Sequence, residues 1–519
     1  MSRLAQARQQ RLDKIQELKK LGIQAYPAQS QKDYTNKEIV DNFNQYDGKT
    51  VTLAGRLMYW REHGKIIFGQ IQDQSGRIQV FIYSKLLEDT NAQTQTLGFN
   101  HLNLLDLGDF IQVMGKIIKT RTGEVSIQPT QLKLLTKAIR PLPSKWGELK
   151  DHEMIFRRRY LDLVMSPDRR KLFERKAKFW EVQREFLKQK GFMEVEVPVL
   201  EHVTGGADAR PFVTHMNALN QDFFMRISSE LYQKRLIGGG YEKIYTIGPN
   251  FRNEGLSDEH LPEYYQTEWY WAYADYRDNM ELVKEMFQYV ATQVYGKTQF
   301  TKDDHTFDLA DEWTIIDYPE IIKQHFGLDI FNSTNAEFKK VLDQHKVKLD
   351  DGAITRNRLI DNVWKLIRKT LSGPAFLINE PAFMSPLSKS RIDNPALTER
   401  FHVIIAGSEL GNGYTELNDP QDQLDRFQDQ QKNRDAGDDE SQMMDIDYVE
   451  MLEYGMPPTS GYGHSERVFW FLENVTAREG TLFPQLKHKL EETTKEIYGL
   501  EDIDTTQEQN NNQGEEAQT

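Results

Sequence analysis

Cysteine is absent from all 519 residues, which excludes disulfides and thiolate metal sites. The 12 histidines form no HExxH or paired helical arrangement, so the sequence offers no zinc site either. No apolar run approaches the ~20 residues that a membrane-crossing helix needs, and the first residues lack an apolar secretion core. A water-soluble, cytoplasmic chain with no membrane partner is expected. A basic excess is also missing: 65 Lys and Arg stand against 79 Asp and Glu, a net charge of −14. Affinity for nucleic acid comes largely from Lys and Arg neutralising phosphates, so any RNA must meet a local basic surface. Two stretches offer one: Arg3, Arg8, Arg11, Lys14, Lys19 and Lys20 near the start, and the triplet Arg157, Arg158 and Arg159. Each reads equally well as a solvated charged helix or a few surface pairs.

At roughly 150 residues per domain, the length suggests two to four units. Residues 1–49 form an N-terminal helical extension, with Leu and Ile at helical spacing. Residues 50–137 read as five short strands joined by turns such as DQSGR and RTGE, the pattern of a small barrel; a purely structural β-domain fits that pattern too. Residues 138–154 contain RPLPSK and read as a hinge. A mixed body follows over 155–500, opening with a long amphipathic helix at 168–191 and a strand, FMEVEVPVL, whose Pro198 belongs at an edge or interface. Within it, about 300–372 reads as a helical insertion with few chemical groups. Residues 501–519 are polar and expected to be disordered.

Three clusters carry chemistry: SSELYQKRL, the run GPNFRNEGLSDEHLPEYYQTEWYWAYADY, and GSELGNGYTELND. A turn before the alternating YYQTEWYWAY suggests two antiparallel strands with alternate side chains on one face. One arginine among several carboxylates suits a zwitterion with an extra positive charge. The guanidinium takes the carboxylate in a fork and the carboxylates take ammonium groups. The same charges also fit an internal ion-pair network.

At these residues a family resemblance emerges. FRNE followed by EHLPEYYQTEWY resembles motif 2 of the class II aminoacyl-tRNA synthetases, and GFMEVEVPVL resembles their dimer-forming motif 1. TGGADARPFVTHMNAL, RISSELYQKRL, YTIGPNFRNEG, AYADY, SPLSKS, ELGNGYTELNDP, AGDDE and GMPPTSG resemble, in order, the signature stretches of the lysyl branch. SPLSKSR is not the KMSKS loop of class I enzymes, since no HIGH-like partner or nucleotide-binding βαβ fingerprint accompanies it.

The resemblance implies an α+β fold: an N-terminal OB-fold β-barrel that binds an anticodon, and a class II catalytic domain on an antiparallel sheet with flanking helices. It implies a lysine-tRNA ligase that uses ATP and Mg²⁺, releases AMP and pyrophosphate, charges tRNA(Lys), and forms a homodimer. Residue by residue, Arg252 would grip the substrate carboxylate and the α-phosphate. Glu230 would hold the α-ammonium, Asn412 would assist at the carboxylate, and Glu268, Tyr270 and Glu416 would enclose the ε-ammonium. Glu254 would read adenine, Tyr264 would stack on it, His260 would contact phosphate, Arg467 would close the site, and Glu409 would bind Mg²⁺. In the barrel, Phe68, Gln79 and Glu124 would contact the anticodon. An aspartate- or asparagine-specific relative would lack the carboxylates and phenol facing the side chain.

Three positions depart from the family pattern, all toward the ATP end. GYGHSER is one residue short, with His464 where a third glycine would fall; His402 stands where a glutamate is expected; and Leu261 replaces an asparagine. The number of Mg²⁺ ions is therefore left open. A paralogue that keeps lysine or RNA binding without adenylation is the competing reading, alongside a non-enzymatic OB-fold RNA-binding protein.

Overall fold

The computed structural model describes residues 2–143, 152–349, 355–435 and 442–500. The AGDDE stretch, residues 144–151 of the proposed hinge, and the proposed tail lie outside the described residues. The chain divides into two compact units: one of Met1–Lys150 with Lys487–Thr519, the other Asp151–Leu486. Residues 487–500, expected in the catalytic body, thus group with the N-terminal unit. Among the described residues no helix is long and apolar enough to cross a membrane.

The first unit is a closed five-stranded barrel. Its strands are β1 (Thr50–His63), β2 (Ile66–Gln72), β3 (Arg77–Tyr83), β4 (Phe110–Lys119) and β5 (Val125–Thr136), in spatial order β1-β2-β3-β5-β4. Alternation fills the interior with Ile67, Ile71, Ile78, Val80 and Ile82. The helix Arg3–Lys20 is pinned to this unit by its own basic residues. Arg11 is buried and donates to the carbonyls of Ala138 and Leu107, and Lys14 pairs with Asp106 at 2.9 Å. Two of the six cations proposed there for RNA are thus consumed in packing. The second basic candidate changes in the same way: Arg157 pairs with Glu153, and Arg159 is fully buried against Asp162 at 2.8 Å.

In the second unit the strands continue as β6 (Met193–Glu194), β7 (Leu200–Glu201), β8 (Val213–Met216), β9 (Gln221–Met225), β10 (Lys243–Phe251), β11 (Glu263–Ala272), β12 (Gln299–Lys302), β13 (His305–Asp308), β14 (Thr314–Asp317), β15 (Ala375–Ile378), β16 (Arg400–Ile405), β17 (Ser408–Thr415) and β18 (Thr459–Ser465). Eight of them make the central sheet, in order β14-β15-β16-β17-β18-β11-β10-β6. The expected pair is present: β10 and β11 run antiparallel from Lys243↔Trp271 to Phe251↔Glu263. Motif 1 is less regular than a single strand, because Pro198 interrupts it and only β6 and β7 are laddered. The guanidinium of Arg226 instead collects the carbonyls of Val197 and Pro198.

One face of the sheet is core. The rings of Trp269 and Tyr462 meet there at 4.6 Å, tilted by 42°, and pack with Phe179, Val283, Met286 and Phe469 from the helices Pro167–Gln189, Tyr276–Val290 and Arg467–Glu473. Since side chains alternate, Gln266, Glu268 and Tyr270 face the other way. The segment 300–372 differs from the helical expectation: its first part is β12 to β14, with β14 forming the sheet edge. The helices Tyr318–Phe326, Asn335–Gln344 and Arg356–Arg368 follow and share a core of Ile322, Phe338, Leu342, Val363 and Trp364.

Candidate active site

Two cavities open on the polar face of the sheet. The smaller, about 200 Å³, is lined by Glu230, Arg252, Glu268, Tyr270, Asn412 and Glu416, among others. All six residues expected around a cationic amino acid therefore meet in one cavity. The larger, about 450 Å³, is lined by Glu254, His260, Tyr264, Glu409 and Arg467. Arg252, Gln266, Arg400, Asn412 and Gly463 line both, so the cavities adjoin at these residues.

The smaller cavity is built from three elements. Glu230 opens the helix Glu230–Gly238, Glu268 and Tyr270 are alternate residues of β11, and Glu416 follows β17. Glu268 is buried and accepts from Ser228 Oγ at 2.9 Å, the Ser229 amide at 3.2 Å and Tyr270 Oη at 3.3 Å. Its hydrogen-bond donors are neutral, so burial, assisted by Glu230, raises its carboxyl above the usual range. Glu230 accepts from Tyr414 and from Lys234 Nζ at 2.6 Å, and Glu416 contacts the same Lys234. The glycines of β18 keep this cavity open. A Cβ at Gly461 would lie 2.3 Å from Glu416 Oε1 and 2.4 Å from the Tyr270 ring.

At the junction, Arg252 follows β10 and its backbone amide is fixed by the Pro262 carbonyl at 2.8 Å. Its guanidinium lies over the Tyr264 ring, 5.5 Å from the centroid. Its Nε is buried and has no hydrogen-bond partner among the described residues. Such a group is costly to bury unless a ligand completes it.

In the larger cavity Arg467 donates to Ser408 Oγ at 2.5 Å and to the Glu409 carbonyl at 3.2 Å, and it pairs with Glu259. His260 bonds to Ser257 Oγ at 2.8 Å; burial, then Arg467, pushes its imidazole below the ordinary value. The carboxylate of Glu409 divides its contacts. Oε1 accepts from Trp364 Nε1 at 2.6 Å and pairs with Arg368 at 2.9 Å, whereas Oε2 faces His402 Nδ1 at 3.6 Å. Burial opposes its ionisation, but His402, Arg368 and Trp364 outweigh that and bring it to about 2. His402 in turn holds Glu380 at 2.6 Å, and Glu380 also meets Arg400 at 3.2 Å.

Comparison with known proteins agrees with this geometry. Residues 151–487 match the family model described as tRNA synthetases class II (D, K and N), and residues 51–135 match the OB-fold nucleic acid binding domain. A lysine-tRNA ligase of Thermotoga maritima is 41% identical over 505 residues, covering 96% of this chain and 99% of that protein. Those of Thermosipho africanus (40% over 492 residues, 93% and 96%) and Pelotomaculum thermopropionicum (41% over 482 residues, 92% and 94%) are similarly alike. The chain belongs to the lysine-tRNA ligases, within the class II tRNA synthetases.

Measured against that family pattern, all three departures line the larger cavity, and two of them also belong to the core. Leu261 is buried in the main core, where it anchors the loop between β10 and β11. His464 alternates with Gly463 and points into the opposite face. There it bonds Gln183 at 3.0 Å, and burial lowers its pKa to about 3, leaving it neutral. His402 is less deeply buried and places its ring between Glu380 and Glu409.

The anticodon candidates lie on the barrel. Phe68 on β2 is half-buried opposite Phe81 on β3, their rings 5.3 Å apart, and belongs to the outer row rather than to the interior. Gln79 accepts from Ser126 Oγ at 2.8 Å, and Glu124 is exposed in the turn before β5.

Sequence reasoning missed Lys234, Arg400, Glu259, and the pair Trp364 and Arg368. The spacing of Glu230 and Lys234, one helical turn apart in SSELYQKRL, is a readable signal for the first. The last two sit in the insertion, where only the tertiary fold brings them to Glu409.

Proposed function

We propose that this enzyme joins lysine to ATP in its two adjoining cavities and passes the lysyl group to tRNA(Lys). The observation that carries this reading is Arg252, which lines both cavities with an unsatisfied buried Nε. Lysine would lie with its carboxylate at Arg252 and Asn412, its α-ammonium at Glu230, and its ε-ammonium between Glu268, Tyr270 and Glu416. Tyr264 and Glu254 would receive adenine, and His260 and Arg467 the phosphates.

In the first step a carboxylate oxygen bonds to the α-phosphorus as the bond to pyrophosphate breaks. In the second a hydroxyl at the 3′ end of the tRNA attacks the lysyl carbonyl and AMP leaves. No protein nucleophile takes part; Arg252 orients the attacking group and offsets charge growing on the phosphate. Neutral His260 would donate a hydrogen bond without adding charge.

Glu409 fits Mg²⁺ as one carboxylate contact, through the Oε2 that faces His402 Nδ1 at 3.6 Å. Among the described residues no group of three or more His, Asp and Glu side chains is disposed to hold a metal. That donor set suits an ion brought in on ATP, because Mg²⁺ keeps water and phosphate oxygens in its shell. Bound there, it would neutralise phosphate charge. The barrel would read the anticodon through Phe68, Gln79 and Glu124. A homodimer through the segment around Pro198 and a cytoplasmic location complete the reading; sedimentation tests the dimer.

The decisive assay is lysine-dependent exchange of pyrophosphate into ATP. Exchange saturating in lysine is expected; none at saturating lysine and Mg²⁺ removes the enzymatic reading and leaves the paralogue that binds without adenylating.

A further inference from the structure

The floor of the amino-acid cavity holds a cation that the reaction does not use. Lys234 is fully buried and does not itself line the cavity. Its Nζ bridges Glu230, at 2.6 Å, and Glu416, and it lies 5.3 and 5.9 Å from the ring centroids of Tyr414 and Tyr448. A buried ammonium is expensive unless paired, and so are the carboxylates around it. Each therefore accounts for the presence of the others.

The charges decide what the arrangement is for. Glu230, Glu268, Glu416 and Asp208 line the cavity with Arg252 and Arg400, so carboxylates outnumber cations there; Lys234 lies behind Glu230 and Glu416, and Glu380 pairs with Arg400. Lysine at neutral pH carries one net positive charge, so it enters a site where negative charge is in excess. Without Lys234 that excess would grow by one charge.

Resting on the function proposed above, we propose that Lys234 is a positioning residue, a resident counter-cation. It bridges Glu230 and Glu416, holds them at a set separation, opposes the effect of burial on Glu416, and leaves Glu268 as the charge that a side-chain ammonium must neutralise. It thereby sets the preference for an amino acid with one side-chain positive charge. The groups facing Lys234 are Glu230 on its own helix, Tyr414 and Glu416 from the β17 side, and Tyr448 from the helix Ile446–Tyr454. With Lys234 removed, the close pair Glu230 and Glu416 must take up a proton to remain buried. A cationic ligand must then drive that proton off.

The test is calorimetric titration of lysine at pH 7.5 in two buffers of different ionisation enthalpy, using the full chain, Lys234→Met, and Lys234→Met with Glu416→Gln. The natural chain binds lysine with a given proton count. Lys234→Met should bind at least about 10-fold more weakly, the scale of one charge-assisted contact, and release up to one further proton per lysine. The double variant should return to the natural proton count. Natural affinity and proton count in Lys234→Met overturn the proposal. Failure of the natural chain to bind lysine instead overturns the functional reading. If Lys234→Met does not melt cooperatively, the double variant carries the test. Folded with the natural count, it supports the counter-cation; unfolded, it marks Lys234 as a packing element and overturns it.

Discussion

Substituting Glu268 by Gln keeps the shape of the side chain and one acceptor oxygen, but removes the charge on the floor of the cavity. Ser228 and Ser229 still have an oxygen to donate to, and the packing beneath β11 is untouched, so the fold should survive. What is lost is the pairing with an incoming ammonium. A hydrogen bond to a charged group contributes about 1.5–3 kcal/mol, or roughly 10- to 150-fold in affinity at 1.4 kcal/mol per tenfold. Burial already holds the Glu268 carboxyl above its usual range, so part of that gain is offset by ionising it. The lower part of the interval, about 10- to 30-fold, is therefore expected for the Michaelis constant of lysine in pyrophosphate exchange at saturating ATP. The constant for ATP should stay within about 3-fold, since Glu268 lines only the amino-acid cavity. Unchanged lysine kinetics, or an equal loss for ATP, would refute the assignment of Glu268 to the side-chain ammonium.

The same carboxyl predicts a pH dependence. Its folded value is raised, so the unliganded fold binds that proton more tightly than the unfolded chain does. The stabilisation is present at acid pH and is lost as pH rises from the ordinary carboxylate range. The lysine-induced rise in Tm should accordingly grow between about pH 5 and 8 and flatten in Glu268→Gln, as thermal melts will show. Gly461→Ala should raise the Michaelis constant for lysine by about 100-fold or more with ATP binding retained, because its Cβ meets Glu416 and Tyr270; near-normal kinetics would mean the cavity floor is softer than drawn. Glu259→Gln should lower the Michaelis constant for ATP by several fold, since Arg467 must leave Glu259 to meet phosphate; a rise would show that Glu259 helps hold the nucleotide. Phe68→Ala should raise the Michaelis constant for tRNA in charging by about 5- to 150-fold, the range of one lost base stack, and leave pyrophosphate exchange unchanged.

The parts of this protein legible in the sequence are those where a local pattern answers a local physical demand. The barrel strands show themselves through alternation around Ile67, Ile71 and Val80, and the β10–β11 pair through YYQTEWYWAY between turns. The six residues of the amino-acid cavity could be listed together because each lies in a short signature stretch. Legibility fails where meaning depends on what packs opposite. Arg11 and Arg159 look like free surface cations, yet the fold spends them on buried carbonyls and Asp162. Trp364 and Arg368 look like ordinary members of an amphipathic helix, yet that helix delivers them to Glu409 across a separation of about 40 residues. His464 looks like a defect in a glycine-rich strand; the alternation of β18 turns it into core. Even β12 to β14 were hidden, being four residues each and followed by strong helical periodicity.

A guanidinium that serves two cavities cannot let them fill independently. If lysine's carboxylate fixes Arg252 in the orientation that phosphate requires, bound lysine must tighten ATP, and ATP must tighten lysine by the same factor, since coupling free energy is reciprocal. The enzyme would then hold either substrate loosely alone and both firmly together. The affinity that produces this commitment would come from ordering one side chain once instead of twice.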